Sequence, residues 1–447
     1  MLLGSNSTRP AILRRFWIVQ ALAAAAALLR LPAACAEESW LTEYPTVTKQ
    51  ANAACKEGRL QECRSGLQRL RTLVDGRPDI SCRLAVVEAQ LGNRALALES
   101  LGICARSGLD FGAFTSESAL QELRVLPGFS AVQAEYRRGS LPARDYESRY
   151  SLGDPDLIAE DIAFDPADGS FLVSSVRERK IVRIAADGSV SDFITTARFP
   201  MWGAVALALD SRRGILWTTT TAGPESPPYA EAEDGRSAVL QIDLRSKALL
   251  GRYELSDGQP HAFGDMTLGG HGEVYVSDSR GGGVYAIRPV AKDGLQVILK
   301  PGSFRSPQTP ALLPGGGALL VPDYSRGIGI VSLARGGMKW LQHPPELDLA
   351  GIDGLYLHGR TLFAIQNGTA PERILVMTLD AGGNRVERWR VAVARVPGLG
   401  DPTHGVVRGE YFYFLVNSGW DRVGDDGSLK ADPAATPAGI WRVRLPR

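Results

Sequence analysis

Charge of one sign is what this sequence most plainly lacks. Fifty Lys and Arg stand against 49 Asp and Glu, a formal net charge of +1 over 447 residues. A nucleic-acid-binding chain shows a basic face or stripe, so no nucleic-acid partner is expected. No G-x-S-x-G elbow, P-loop or dinucleotide fingerprint occurs, which counts against serine-hydrolase, nucleotide and nicotinamide chemistry. Methionine is scarce at 5 while glycine is plentiful at 49, a balance that suits many tight turns between strands. A hydrophobic fraction of 44% and a charged fraction of 22% are ordinary for a globular chain with a sizeable core.

Long hydrophobic runs are missing too, with one exception near the start. Arg14 and Arg15 precede "FWIVQALAAAAALL", and "ACA" at Ala34 to Ala36 offers the small residues a signal peptidase reads. Residues 1–36 therefore read as a secretory signal peptide, with Glu37 as the mature start. Two other readings compete. Cys35 as a lipid-modified cysteine requires an aliphatic residue where Pro32 stands. An uncleaved anchor requires ~20 apolar residues, and Arg30 and Pro32 cut the run short. Signal cleavage leaves no membrane span, and the expected location is periplasmic or secreted.

Cysteine is rare and confined. After Cys35, only Cys55, Cys63, Cys82 and Cys104 remain, an even number in one short region. Their spacing contains no C-x-x-C pair, which argues against zinc and for disulfides in an oxidising compartment.

Residues 46–137 carry a helical period, within a module expected over 37–140. Placing "ACKEGRLQECRSGLQRL" over "AQLGNRALALESL" sets Gly58 over Gly92, Leu67 over Leu101 and Cys63 over Ala97. This 34-residue spacing, with Gly at the inter-helix turn and Pro78 closing the first unit, resembles a tetratricopeptide repeat. Two repeats fall short of the usual minimum of ~3, and "SALQELRVLPGFSAVQAEYRRG" is expected to supply the missing helices. Antiparallel hairpins of this kind favour Cys55–Cys63 and Cys82–Cys104 among the three possible pairings. Such a module implies a protein partner or a packing role more readily than catalysis. "GSLPARD" at 139–145 reads as the linker.

From Tyr146 the texture becomes short β runs separated by glycine turns. Six segments recur, beginning at Glu160, Ala204, Gly264, Gln308, Asp353 and Thr403, each followed by a third apolar strand. Six small antiparallel sheets around an axis make a six-bladed β-propeller over 146–447. The fold class is thus mainly β, a propeller preceded by a small α-helical tetratricopeptide-like domain. "ESRYSL" at 147–152 is expected to complete the last sheet and close the ring. The strand is architecture, whereas the residue ahead of each innermost strand faces one end of the central channel. Those positions read Glu160, an apolar residue near Val205, Gly264, Gln308, Asp353 and Thr403. The following positions read Asp161, Ala206, Asp265, Thr309, Gly354 and His404.

"AEDIAFD" in the first unit and "IDGLYL" in the fifth resemble the gluconolactonase, regucalcin and luciferin-regenerating group, over about two-thirds of the chain. The resemblance implies one divalent cation in the channel, held by a Glu of the first blade, an Asn of the fourth and an Asp of the fifth. Carried over, Glu160 and Asp353 match the carboxylates, while Gln308 replaces the Asn and puts an amide oxygen one methylene further out. Calcium, magnesium or zinc would there polarise a lactone or ester carbonyl, with Asp353 helping to activate water. The residues alone support a similar chemistry, since two carboxylates and a carbonyl oxygen suit a hard cation. Trp202, Asp265, Thr309 and His404 are the remaining candidates for a substrate pocket.

Blander roles stand beside each. Glu160 and Asp353 also suit hydrogen bonds to backbone amides, and His404 suits donation to a backbone carbonyl. Asp278, Asp323 and Asn367 each follow a second strand, which argues for turn capping. The segments 221–237 and 419–439 read either as surface loops or as lids. The leading function is an exported metal-dependent hydrolase of a small lactone or ester. The alternative is a non-enzymatic scaffold or ligand-binding propeller whose helical module docks a protein. Condensation of the strictosidine-synthase kind, which needs a channel Glu without metal, is a third reading that Glu160 alone supports poorly.

Overall fold

The computed structural model describes residues 35–111, 118–289 and 294–446. They form two units, one of helices up to Leu141 grouped with His343–Leu349, the other containing Pro142–Gln342 and the chain from Ala350. The apolar run expected to be a signal peptide lies outside the described residues. Glu37 falls inside the first described helix.

The helical unit contains α1 (Cys35–Lys56), α2 (Leu60–Leu73), α3 (Pro78–Gln90), α4 (Arg94–Arg106) and α5 (Phe129–Gly139), with a 3-10 turn at Ser118–Val125. Gly58 and Gly92 take left-handed φ values of 72° and 77° just past α1 and α3. Only glycine enters that region freely, so both helices stop there. Pro78 opens α3 rather than closing a unit, because the first turn of a helix has no use for its missing N–H. Leu67, Leu101, Cys63 and Ala97, the positions matched by the 34-residue spacing, are all fully buried. Cys55–Cys63 ties α1 to α2 and Cys82–Cys104 ties α3 to α4, as the hairpin alignment anticipates. Leu120 and Leu123 pack on Ala85, Ala97 and Leu101, so the segment after α4 does complete this small core. No described helix is long and apolar enough to cross a membrane.

The second unit is a six-bladed β-propeller. Its six sheets are antiparallel, and five contain four strands each. In the first blade these are Ala159–Asp165, Ser170–Ser175, Lys180–Ile184 and Val190–Ile194. The innermost strands of the others are Gly203–Asp210, Phe263–Leu268, Ala311–Leu312, Ile352–His358 and Gly405–Arg408. Second strands such as "SFLVSS" and "VYVSD" are buried at every position. A strand covered on both faces by neighbouring blades has no solvent side, which is why these read as continuous runs rather than alternations.

The ring closes through the first strand of the propeller segment. Glu147–Ser151 pairs with Gly439–Arg444, Glu147 opposite Arg442 and Ser151 opposite Gly439. Phe171 of the first blade meets Tyr413 of the sixth with ring centroids 5.0 Å apart, amid Val173, Leu415 and Ile440. The fifth sheet gains an extra strand, Ala143–Arg144, from the stretch read as linker. That pairing carries the sheet structure ahead of the boundary expected at Tyr146.

Candidate functional site in the propeller channel

Each recurring position ahead of an inner strand has a local cause. The ladder between first and second strands skips Glu160 and Asp161, Val205 and Ala206, Gly264, and Asp353. A bulge leaves its extra residue out of the ladder and re-aims the side chain. Four blades therefore release these residues at the same end of the ring, where the connections between blades also lie.

A belt of polar contacts links the blades there. Asp161 accepts from its neighbour Ile162 N and from Leu207 N of the second blade, both at 2.7 Å. Thr309 Oγ1 lies 2.8 Å from Asp265 Oδ1 and 2.9 Å from the Asp353 carbonyl, joining the third, fourth and fifth blades. Gly405 N donates to Tyr356 Oη at 2.8 Å, joining the fifth to the sixth. His404 Nδ1 lies 2.8 Å from the Glu160 carbonyl, closing the sixth onto the first.

His404 also reaches across. Its Nε2 is 2.5 Å from Asp265 Oδ1, on the blade opposite, and both side chains are about fully buried at 2% and 3% exposure. A carbonyl only accepts, so Nδ1 carries a proton, and a carboxylate facing Nε2 favours a second one. Burial works to lower the imidazole pKa, but the charges of Asp265, Asp353 and Asp161 outweigh it and hold the value well above the ordinary range. His404 is thus a buried cation pinned across the channel.

One cation faces several carboxyls. Burial raises Glu160 to about 8, with the Asp353 charge adding to it and His404 opposing. Burial likewise raises Asp353 to about 6 and Asp161 to about 7. Asp161 has both oxygens bonded, but the other two do not. Trp420 Nε1 donates to Glu160 Oε2 at 2.5 Å and Asn367 Nδ2 to Asp353 Oδ2 at 2.7 Å. Glu160 Oε1 and Asp353 Oδ1 accept no hydrogen bond among the described residues. Gln308 donates its amide nitrogen to Ser306 Oγ at 2.9 Å, which leaves the amide oxygen uncommitted in the same sense. Among the described residues no three His, Cys, Asp or Glu side chains converge as ligands. A cation would therefore rest on two carboxylates and one amide oxygen, with water completing its shell. That donor set fits a hard divalent ion.

Stability without metal should depend on pH in a defined direction. Glu160 and Asp353 hold protons more tightly when folded than unfolded, so the unfolded state loses them first as pH rises. Stability then falls between about pH 5 and 8 rather than rising. Glu160→Gln cannot ionise and is expected to recover on the order of 3 kcal/mol at pH 8. Thermal melts of chelated wild type and variant across that range check this. An equally steep decline in the variant would mean that Glu160 is not the acid responsible.

Other positions are placed differently. Trp202 is buried among side chains of the first two blades, with Arg252 and Arg236 over its ring at 4.6 and 4.9 Å. Asp278 and Asp323 do cap turns, accepting from Gly281 N at 2.8 Å and Ser325 N at 2.9 Å. Asn367 does not follow them. Its amide holds Asp353, and Tyr324 Oη donates to its oxygen at 3.0 Å. A second acidic layer was invisible in the sequence pattern. Burial raises Glu372 to about 7, and its carboxylate accepts from Asp401 N at 2.7 Å. Asp401 itself is raised well above the ordinary range by burial, with Glu372 adding to it.

No family model matches the chain. A stretch of 142 residues, 31% of the chain, is 28% identical to phosphoribosyl isomerase A of Streptomyces griseus. It spans about half, 51%, of that curated relative. Among solved structures the chain is similar to a gluconolactonase of Xanthomonas campestris, 16% identical over 68% of this chain and 97% of that one, TM-score 0.44. A Thermus thermophilus protein described as an oxidoreductase (glucose dehydrogenase) is 18% identical over 67% and 99%, TM-score 0.46. A catalytically inactive virginiamycin B lyase of Staphylococcus aureus, solved with quinupristin, is 13% identical over 67% and 99%, TM-score 0.45. Likenesses this distant carry no argument about activity, which has to come from the channel itself.

Proposed function

We propose that the channel holds a divalent cation through Glu160, Gln308 and Asp353 and hydrolyses a small lactone or ester. The observation that carries this is the Glu160–Asp353 pair, two half-buried carboxyls that repel each other, each keeping one oxygen free of hydrogen bonds among the described residues. A cation bound there supplies Lewis acidity toward a carbonyl oxygen and lowers the pKa of water. An all-oxygen donor set favours calcium or magnesium over zinc.

The chain's own groups have separable tasks. The Asp353 carboxylate is the acceptor for a proton leaving the attacking water as the water adds to the carbonyl; the ester C–O bond then breaks and the departing alkoxide takes that same proton back from Asp353. Asn367 fixes the other oxygen of Asp353, and Tyr324 fixes Asn367 in turn. Thr309, Asp265 and His404 brace the floor beneath. The two disulfides suit an oxidising compartment, periplasmic or extracellular. A screen of small lactones and aryl esters tests the reading: turnover should vanish on chelation and return with calcium or magnesium. Turnover indifferent to chelation contradicts it.

One observation favours the scaffold alternative. The interblade belt satisfies most channel polar groups internally, as a purely structural ring would, and the helical unit would then dock a protein partner. A metal-free, inactive protein is what that reading requires.

A further inference from the structure

The connection between the second and third strands of the sixth blade runs from Asn417 to Ala438. It is organised as a body of its own. Asn417 Nδ2 donates to the Thr436 carbonyl at 2.6 Å and to its hydroxyl at 2.8 Å, closing the base. Val423 and Leu429 pair across it, and Asp426 caps its tip through Ser428 N at 3.0 Å.

This body leaves its own blade. Arg422 donates to Asp156 at 2.9 Å and to the Pro155 carbonyl, along the entry to the first blade. Trp420, half-buried, donates to Glu160 Oε2. At the tip, buried Gly427 accepts from Arg177 of the first blade at 3.2 Å. A Cβ on Gly427 would fall 2.2 Å from the carbonyl carbon and oxygen of Pro224, in the second blade's connection, and its φ is +76°. The segment thus starts in the sixth blade, meets Glu160 through Trp420, presses its tip on the second blade's connection and returns to the sixth.

Its anchorage is light. Residues 430–434 are exposed, Val423 and the terminal Ala438 are its buried apolar side chains, and left-handed Asn417 (φ 53°) and Gly419 (φ 88°) stand at its base. Segments with few buried apolar contacts open at low cost, and backbone positions of this kind absorb hinge motion.

We propose that Asn417–Ala438 is a strap over the channel mouth, latched at Gly427 on Pro224, and that Trp420 is the roof it lays over Glu160. Its consequence for a substrate rests on the channel being the functional site, whereas the latch does not. The strap then decides what enters the first-blade side of the mouth.

Gly427→Ala in the full exported chain tests it, since a methyl group there meets backbone and touches none of the channel residues. Arg177→Ala is the second variant, should the first fold poorly. Strap amides are expected to exchange with deuterium about tenfold faster than in wild type, with inner-strand amides unchanged. Acrylamide should quench Trp420 more strongly, read as the difference between each protein and its Trp420→Phe counterpart. Calcium loaded alone should be released to a chelator about tenfold faster. Wild-type exchange in both variants overturns the latch. Faster exchange with Trp420 no more accessible overturns the roof. If neither protein takes up calcium, the metal reading falls, and the exchange and quenching results still decide the strap.

Discussion

Replacing His404 by Ala is expected to lower the melting temperature by about 10 °C, the largest stability loss of any single channel substitution. The imidazole bonds the Glu160 carbonyl on one side and Asp265 on the other, joining three blades through one buried ring. Removing it leaves Asp265 buried without a counter-charge, with Thr309 as its remaining partner, in the field of Asp161 and Asp353. Breaking a buried pair from one side costs roughly 3–5 kcal/mol, or about 2–4 °C for each kcal/mol in a domain of this size. His404→Ala combined with Asp265→Asn should lose less than the sum of the two single changes, because the stranded charge is gone. A His404→Ala melt within about 2 °C of wild type would mean that the ring does not depend on this bridge.

Asp353→Asn is expected to remove hydrolytic turnover by a factor of about 1,000 or more while leaving the melt unchanged or slightly raised. The amide is isosteric, so Asn367 keeps a partner and the bulge keeps its shape. What disappears is the carboxylate charge that would hold a cation and the basicity that would take up a proton. Repulsion with Glu160 disappears too, which is why stability should not fall. Asn367→Ala acts one step away. It frees Asp353 to rotate and should cost about 10–100-fold, in kcat more than in KM. Full turnover in Asp353→Asn, with the fold intact, removes Asp353 from the mechanism.

How much of this the sequence discloses depends on the range of the interaction. Local periodicity discloses the blades, since a doubly covered second strand must be apolar throughout, and "ESRYSL" stands out as a strand without a sheet of its own. The cysteine pairs follow from helix ends that are neighbours in the hairpin. Glu160 and Asp353 are legible because they recur at one place in a repeat, although the bulges that turn them inward leave no signature. Contacts between distant blades are another matter. His404 and Asp265 are 139 residues apart, and Trp420 and Glu160 260 apart. Neither pair has a spacing to betray it. Asn367 shows the limit of positional analogy: it occupies the place of Asp278 and Asp323, but an amide can donate, and Asp353 lies within its reach. Trp202 illustrates the converse, an aromatic expected in a substrate pocket that two guanidinium groups cover.

The most direct test of the central claim is elemental analysis of the chain from Glu37 onward, purified without chelator, with a thermal melt before and after metal removal. One equivalent of calcium or magnesium is expected, its loss lowering the melting temperature in wild type and scarcely in Glu160→Gln/Asp353→Asn. A wild-type protein that stays metal-free after reloading, with an unchanged melt, contradicts a cation in the channel and with it the hydrolase.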